Sequence, residues 1–334
     1  MRPLIGITIG DPAGIGPETV VRALKNCKIY EQTRPMVIGS RLVLERILTI
    51  ADSPLKISSI KAPEDGRYEY GAIDLLEIDN IKEEIPFGVI SAEAGQAAFD
   101  YIKASIDLAV EGKIDGVATA PIQKEAIHQA GIPYIGHTEM YTGLTNCPNA
   151  VTMFHVNKMR IFFLSRHLSL LKACQYVTFE NVLLFIENCA AAMAHLGMPA
   201  ARLALAALNP HGGEQGLCGD EEMTALAPAV AAAQSKLINV YGPIPADSIF
   251  RLFDINKCDA VLSLYHDQGH IAAKVHDLAN TVGVTVGLPF VRTSVDHGTA
   301  FDIAGKGIAS SKSMEESILV AGLYAAKIAS QGAE

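Results

Sequence analysis

The chain has 334 residues and a mass of 35.6 kDa, with 49% hydrophobic and 19% charged residues and a mean hydropathy of +0.24. That balance excludes a disordered or fibrous chain, and the length suggests two domains or one large α/β unit with a sizeable core. With 27 Lys and Arg against 36 Asp and Glu the formal charge is −9, so no net positive field draws the chain to a polyphosphate backbone, and no nucleic-acid partner is expected.

From the N-terminus, the apolar run 4–9 reads as a strand. It breaks at Gly10-Asp11-Pro12, too soon for the core of a signal peptide, so a cytoplasmic protein is expected. The glycine-rich GDPAGIGPE that follows (10–18) leads into the helical TVVRALKN. It is neither G-x-G-x-x-G nor a Walker A loop, and reads either as a plain strand-to-helix turn or as a place where backbone N–H groups meet an anion. Further strands are expected at 35–38, 73–78, 116–119, 151–154, 160–164, 203–208, 260–264 and 282–286, with the polar stretch 54–71 left as surface hairpin or loop. Helical periodicity marks 91–112, where Ala94, Ala97, Ala98, Tyr101, Ile102, Ser105, Leu108 and Ala109 share one stripe. It recurs at 179–196 and 313–329, the latter with Ser313 and Glu316 in capping-box register. Strands alternating with helices predict an α/β fold built on parallel sheet. Hinge crossings are expected around Pro121 and at Pro243-Ile-Pro245. No window reaches the roughly 18 uninterrupted apolar residues of a membrane span, so no membrane partner is expected. Six cysteines without a C-x-x-C pair read as reduced thiols.

Three histidines stand in equivalent settings, each just after an apolar run that reads as a strand: His167, His211 and His266. Open α/β sheets bind ligands beyond the carboxyl ends of their strands. Three imidazoles arriving there can hold a divalent metal and leave positions open for a chelating substrate. Alternatively, each ring caps a strand or bonds a carbonyl. Glu214, Asp220 and Asp267 are candidate carboxylate ligands or partners of the rings. The segment YIGHTEMY puts His137 and Thr138 beside Glu139 and reads equally as an anion site or as a helix start capped by Thr138. The densest polar cluster lies at 287–307, GLPFVRTSVDHGTAFDIAGKG, where Arg292 suits bidentate capture of a carboxylate or phosphate. Lys274 could add a point charge, or be solvated surface.

Taken in order, GDPAGIGPE, GHTEMY, NPHGGE, GPIPAD, YHDQGH and GLPFVRTSVDHGTA resemble the 4-hydroxythreonine-4-phosphate dehydrogenase family of vitamin B6 biosynthesis across essentially the whole chain. The opening and HGTAFDIAGKGIA are also similar to the isocitrate and isopropylmalate dehydrogenases. The resemblance implies a two-domain α/β/α fold with an interdomain active-site cleft. It implies a discontinuous domain at 1–120 plus 275–334 contributing the NAD site, and a second at 121–274 contributing metal ligands and a dimer interface. It makes His167, His211 and His266 the ligands of a divalent metal (Zn, Mg, Co or Mn), the third contributed across a homodimer interface. It places His137, Thr138, Lys274 and Arg292 on the substrate. It assigns NAD, or NADP, to Ser294, Asp296, His297, Gly298, Thr299 and Asp302. Gly283 departs from the family's usual Asn, and Phe301-Asp302-Ile303 with Pro245-Ala-Asp-Ser248 look closer to a sister branch associated with D-threonate or D-erythronate 4-phosphate.

The expected reaction is therefore oxidation of a secondary alcohol β to a carboxylate by NAD, then decarboxylation, on a 4-phosphorylated four-carbon hydroxy acid. Lys274 and Asp247 are the candidates for the proton acceptor. The alternatives are a dehydrogenase of a non-phosphorylated diol and a non-catalytic phosphate-binding protein of the same fold.

Overall fold

The computed structural model describes residues 1–331. Twelve strands follow one another: β1 (Leu4–Thr8), β2 (Arg34–Gly39), β3 (Lys56–Ile60), β4 (Ala72–Glu77), β5 (Gly116–Thr119), β6 (Val151–Val156), β7 (Met159–Phe163), β8 (Leu203–Ala206), β9 (Val240–Ile244), β10 (Ala260–Ser263), β11 (Thr281–Val286) and β12 (Val291–Val295). The chain forms two compact units, one made by Met1–Ala150 with the chain from Val282 onward, the other by Val151–Thr281. It passes between them at 150/151 and 281/282, so residues 121–150, expected in the second domain, lie in the first unit, and 275–281 lie in the second. Neither Pro121 nor Pro243 marks a crossing.

In the first unit the strand order is β3-β4-β2-β1-β5-β12-β11, parallel throughout except for the antiparallel β11/β12 pair. Every residue of β1 is buried, as a parallel strand covered on both faces requires. The helix Ala92–Val110 is started by Ser91, whose hydroxyl accepts from the N–H of Ala94 at 3.2 Å. Its expected stripe is buried except for Leu108, and Ile106 is buried as well. Tyr101 is fully enclosed and donates to Asn80 Oδ1; burying such a ring contributes about 2 kcal/mol. The last helix, Lys312–Gln331, packs on β5 and β12. It begins at Lys312, so Ser313 is not its N-cap as expected, and Ser311 just before it donates to Glu315 at 2.6 Å.

In the second unit the order is β6-β7-β10-β8-β9, with β6/β7 antiparallel and the others parallel. Its core gathers Phe154, Ile161, Phe163, Val261 and Phe253. Three strands were not anticipated. β3 (KISSI) is a largely exposed edge strand and so reads as polar loop. β9 carries Pro243, which an edge strand tolerates because it lacks only an outward N–H. β12 (VRTSV) is polar yet almost wholly buried; its Thr293 hydroxyl is satisfied inside, donating to the carbonyl of Ser317 at 2.8 Å.

Candidate functional site

The first unit carries a buried cation. Arg292, on β12, is 3% exposed. Its Nη1 donates to Thr285 Oγ1 at 3.2 Å and its Nη2 to Thr119 Oγ1 at 2.7 Å, and its guanidinium lies 5.2 Å from the centre of the buried Tyr141 ring. Its Nε is buried without a hydrogen-bond partner. No carboxylate of a described residue lies within ion-pair distance of it. Burial pushes its pKa from 12.5 down to about 10, only partly opposed by Tyr141 and Glu139. Burying an isolated charge is costly, so an anion brought against this guanidinium would be bound favourably.

His137 and Thr138 open the helix His137–Leu144, whose N-cap is Gly136, so Thr138 is the second helical residue rather than the cap. Its hydroxyl bonds to no other described residue. Nε2 of His137 is buried without a partner. Burial, then the charges of Arg292 and Lys124, hold this imidazole well below its ordinary pKa, in the neutral form. The unit thus brings His137 and Arg292 into electrostatic contact beside a helix N-terminus with free N–H groups, a favourable setting for phosphate or carboxylate. Thr119, Thr285 and Tyr141, which hold the guanidinium, were not singled out from the sequence, because the two threonines depend on strand register and Tyr141 on how the helix from His137 packs.

The turn at 10–15 is set by backbone crowding. Gly10 has φ +73°, and a Cβ there would stand 2.3 Å from the carbonyl oxygen of Pro121. Asp11 is fully buried: Oδ1 accepts from the N–H of Ala13 at 2.8 Å, while Oδ2 has no partner. Burial raises its pKa from 3.8 to about 6 against the lowering effect of backbone N–H groups. The turn carries the loop after β12, since Ile15 N donates to Thr299 O at 3.0 Å. In that loop Thr299 is buried, Asp296 and His297 are half-buried, and Gly298 and Asp302 are exposed. Glu18 accepts from Arg22 and from the N–H of Ala309, so the acid of GPE ties the loop's far end to the first helix.

In the second unit the three histidines do leave the carboxyl ends of adjacent parallel strands: His167 follows β7, His266 follows β10 and His211 follows β8. His167 and His266 line one open cavity of about 370 Å³ together with Arg166, Tyr265 and Asp267. His211 does not line it. His266 Nδ1 lies 2.6 Å from Asp267 Oδ1, an arrangement that orients the ring and leaves Nε2 outward. His270, one turn on, stacks on His266 with ring centres 3.6 Å apart and is wedged against Phe154 and Phe163. Lys274, a further turn along the helix His266–Asp277, is exposed, as is Asp247.

The loop bearing His211 is strained. From His211 to Gln215 all five residues have left-handed backbone, with φ of 56°, 71°, 77°, 42° and 57°, and only two of them are glycine. Such conformations persist where the surroundings over-determine them. Here the buried Glu222 does so: its carboxylate accepts from the N–H groups of Leu208 and Asn209, both at 2.8 Å, and from Asn209 Nδ2 at 2.9 Å. Burial alone would raise its pKa, but these bonds outweigh it and hold the carboxyl below its ordinary value. Glu222, which the sequence did not single out, thus braces the entry to this loop through Leu208 and Asn209 rather than serving a histidine ring.

As a metal site these donors fit in kind: imidazoles, one with a carboxylate behind it. Among the described residues of a single chain, however, no three His, Cys, Asp or Glu side chains converge closely enough to hold an ion.

The model of the Pyridoxal phosphate biosynthetic protein PdxA family matches residues 31–321. The chain belongs to the PdxA family. A Clostridium botulinum protein provisionally named D-threonate 4-phosphate dehydrogenase is 50% identical over 327 residues, covering 98% of each chain. The crystal structure of a 4-hydroxythreonine-4-phosphate dehydrogenase from Burkholderia phymatum is 42% identical, with a TM-score of 0.88 over 97% of this chain and 98% of that one. Its counterpart from Klebsiella pneumoniae is 37% identical, with a TM-score of 0.91 and the same coverage. These relatives place the chain among oxidoreductases acting on CH–OH groups and fix the two-domain α/β/α fold.

Proposed function

We propose that this PdxA-family protein oxidises and decarboxylates a 4-phosphorylated four-carbon hydroxy acid, using NAD or NADP as hydride acceptor and a divalent metal. The substrate we favour is D-threonate 4-phosphate, or its epimer D-erythronate 4-phosphate, ahead of 4-hydroxy-L-threonine 4-phosphate, because the half-identical relatives are named for D-threonate 4-phosphate. The observation that carries the reading is the buried, carboxylate-free Arg292 with its orphaned Nε beside a neutral His137.

Arg292, His137 and Thr138 bind and orient an anionic end of the substrate, which contributes positioning rather than bond-making. The accessible loop residues Asp296, His297, Gly298 and Asp302, with the buried Thr299, receive the dinucleotide; Gly298 has nothing within 4 Å of where a Cβ would stand, so backbone can approach a ligand closely there. NAD or NADP held there would supply a hydride acceptor for the alcohol carbon, while Lys274 or Asp247 takes the alcohol proton. The resulting β-keto acid then loses its carboxylate as carbon dioxide. His167, His211 and His266 would hold the metal, completed by a second copy of the chain, since one chain does not assemble the set. A divalent metal bound there supplies Lewis acidity to the substrate's oxygen in both steps. Exposed Leu168, Leu170 and Leu171 beside the histidine cavity, and Ile271, Val275 and Leu278 along the helix from His266, support a homodimer covering this face. Among the described residues no helix is long and apolar enough to cross a membrane, and all six cysteines are free, which supports the cytoplasm as the compartment.

The test is the purified protein with NAD or NADP, a series of divalent metals and a panel of 4-phosphorylated hydroxy acids, followed by absorbance of the reduced cofactor. Turnover with a phosphorylated acid, lost on chelation, is expected. Turnover of the dephosphorylated compound at an equal rate would instead mark a diol dehydrogenase. Phosphate binding without turnover would mark a binding protein.

A further inference from the structure

Ser294 and Gly283 face each other across the β11/β12 ladder. They are register partners, and a Cβ built on Gly283 would stand 2.8 Å from Ser294 Oγ. Apart from Ser294 and the glycine's own chain neighbours, nothing lies within 4 Å of that point, so the buried Gly283 leaves a small space on this face. The next pair on the same face is Thr285 with Arg292, joined by the Arg292 hydrogen bond to Thr285 Oγ1. Ser294 therefore rises from the face that carries Arg292, two residues and about 7 Å farther along the strand.

On the other side of β12 the row continues. Ser294 aligns with Thr119 of β5, and Thr119 with Thr8 of β1. Thr119 is engaged by Arg292 and by the carbonyl of Thr293, whereas Thr8 Oγ1 is buried without a partner. Ser294 is half-buried, and its hydroxyl bonds to no other described residue. A free hydroxyl and a missing side chain thus sit together, one step from the buried cation and within the reach of a four-carbon chain anchored there.

The resemblance assigns Ser294 to the dinucleotide. The geometry points to a different role: Ser294 determines substrate specificity, its hydroxyl bonding a hydroxyl of the phosphorylated acid held by Arg292, in the room that Gly283 leaves. A serine hydroxyl both donates and accepts, so it can pair with a neutral hydroxyl in either sense. This rests on the reading of Arg292 as the substrate's anion site.

Two variants test it, with the KM for the phosphorylated hydroxy acid and the KM for NAD measured separately on the metal-loaded enzyme. Ser294→Ala should raise the acid's KM about 5- to 10-fold, the worth of one neutral hydrogen bond, and leave the KM for NAD and the kcat nearly unchanged. Gly283→Ala should do the same by forcing Ser294 to rotate. It should keep or slightly raise the Tm, because Gly283 has no positive φ and the only close atom is the end of a rotatable side chain. A raised KM for NAD with the acid's KM unchanged would return Ser294 to the cofactor, and no change in either would remove it from the site. Arg292→Lys separates the two levels. If it leaves the acid's KM unchanged, the anion site itself fails. If it raises that KM while Ser294→Ala is silent, only the role of Ser294 fails.

Discussion

Replacing Arg292 by Met should stabilise the unliganded protein slightly and abolish its response to anions. The fall of the guanidinium pKa from 12.5 to about 10 corresponds to about 3 kcal/mol of lost stability for the charged form. With the group only 3% exposed, solvent does not screen this away. The sign is unambiguous: a base with a depressed folded pKa is protonated in both states at any pH below about 10, so the cost is constant through the neutral range and vanishes only in strong alkali. Methionine fills a similar volume and carries no charge. Against the relief stand the hydrogen bonds to Thr285 and Thr119, about 1 kcal/mol each, leaving a net gain of about 1 kcal/mol. Thermal unfolding with and without inorganic phosphate reads both consequences. The parent protein should gain stability with phosphate, by about 2.7 kcal/mol at a hundredfold excess over Kd. The variant should start at or above the parent's Tm and not respond. A variant destabilised by several kcal/mol that keeps the phosphate response would show that Arg292 is a structural cation and refute the reasoning.

Asp11 gives a pH signature. Its folded pKa of about 6 lies above its unfolded value of 3.8, so the folded state binds the extra proton, and stability falls as pH rises through that interval by up to about 3 kcal/mol. Asp11→Asn should therefore be increasingly favourable relative to the parent between pH 4 and about 6, measured by urea unfolding; a difference independent of pH would contradict the burial argument. Glu222→Ala should cost about 3 kcal/mol or more, because buried N–H groups of Leu208 and Asn209 lose a charged acceptor, and turnover should fall with it. Glu222→Gln should recover part of both; equal losses would show that the carboxylate's charge is what matters. His211→Gly should leave stability unchanged or raised by about 1 kcal/mol, since glycine adopts the left-handed backbone freely, while eliminating turnover and lowering metal content by elemental analysis. A fully active His211→Gly would take the residue out of the metal set.

Legibility differed by element for physical reasons. The strands at 4–8, 116–119, 203–206 and 260–263 are continuous apolar runs because both faces are covered, and that composition is visible without coordinates. β3, β9 and β12 were missed because an edge strand and a hydroxyl-rich buried strand do not announce themselves by hydrophobicity. The motif residues His137, Arg292, His167 and His266 could be named in advance, as could the placement of the three histidines after strands, since that requires only local pattern. Glu222 was not singled out, because which of the nearby acids turns inward depends on a loop whose backbone is left-handed for five residues.

By itself, the sequence determined the alternation of strands and helices, the absence of a basic field, and the family, because these are carried by composition, period and long ordered motifs. Tertiary structure decided that Arg292 is buried without a counter-charge, that Thr119 and Thr285 hold it, and that Ser294 shares its face across from Gly283. Those facts depend on which strands lie side by side and in what register, and register is a property of the assembled sheet, not of any one segment.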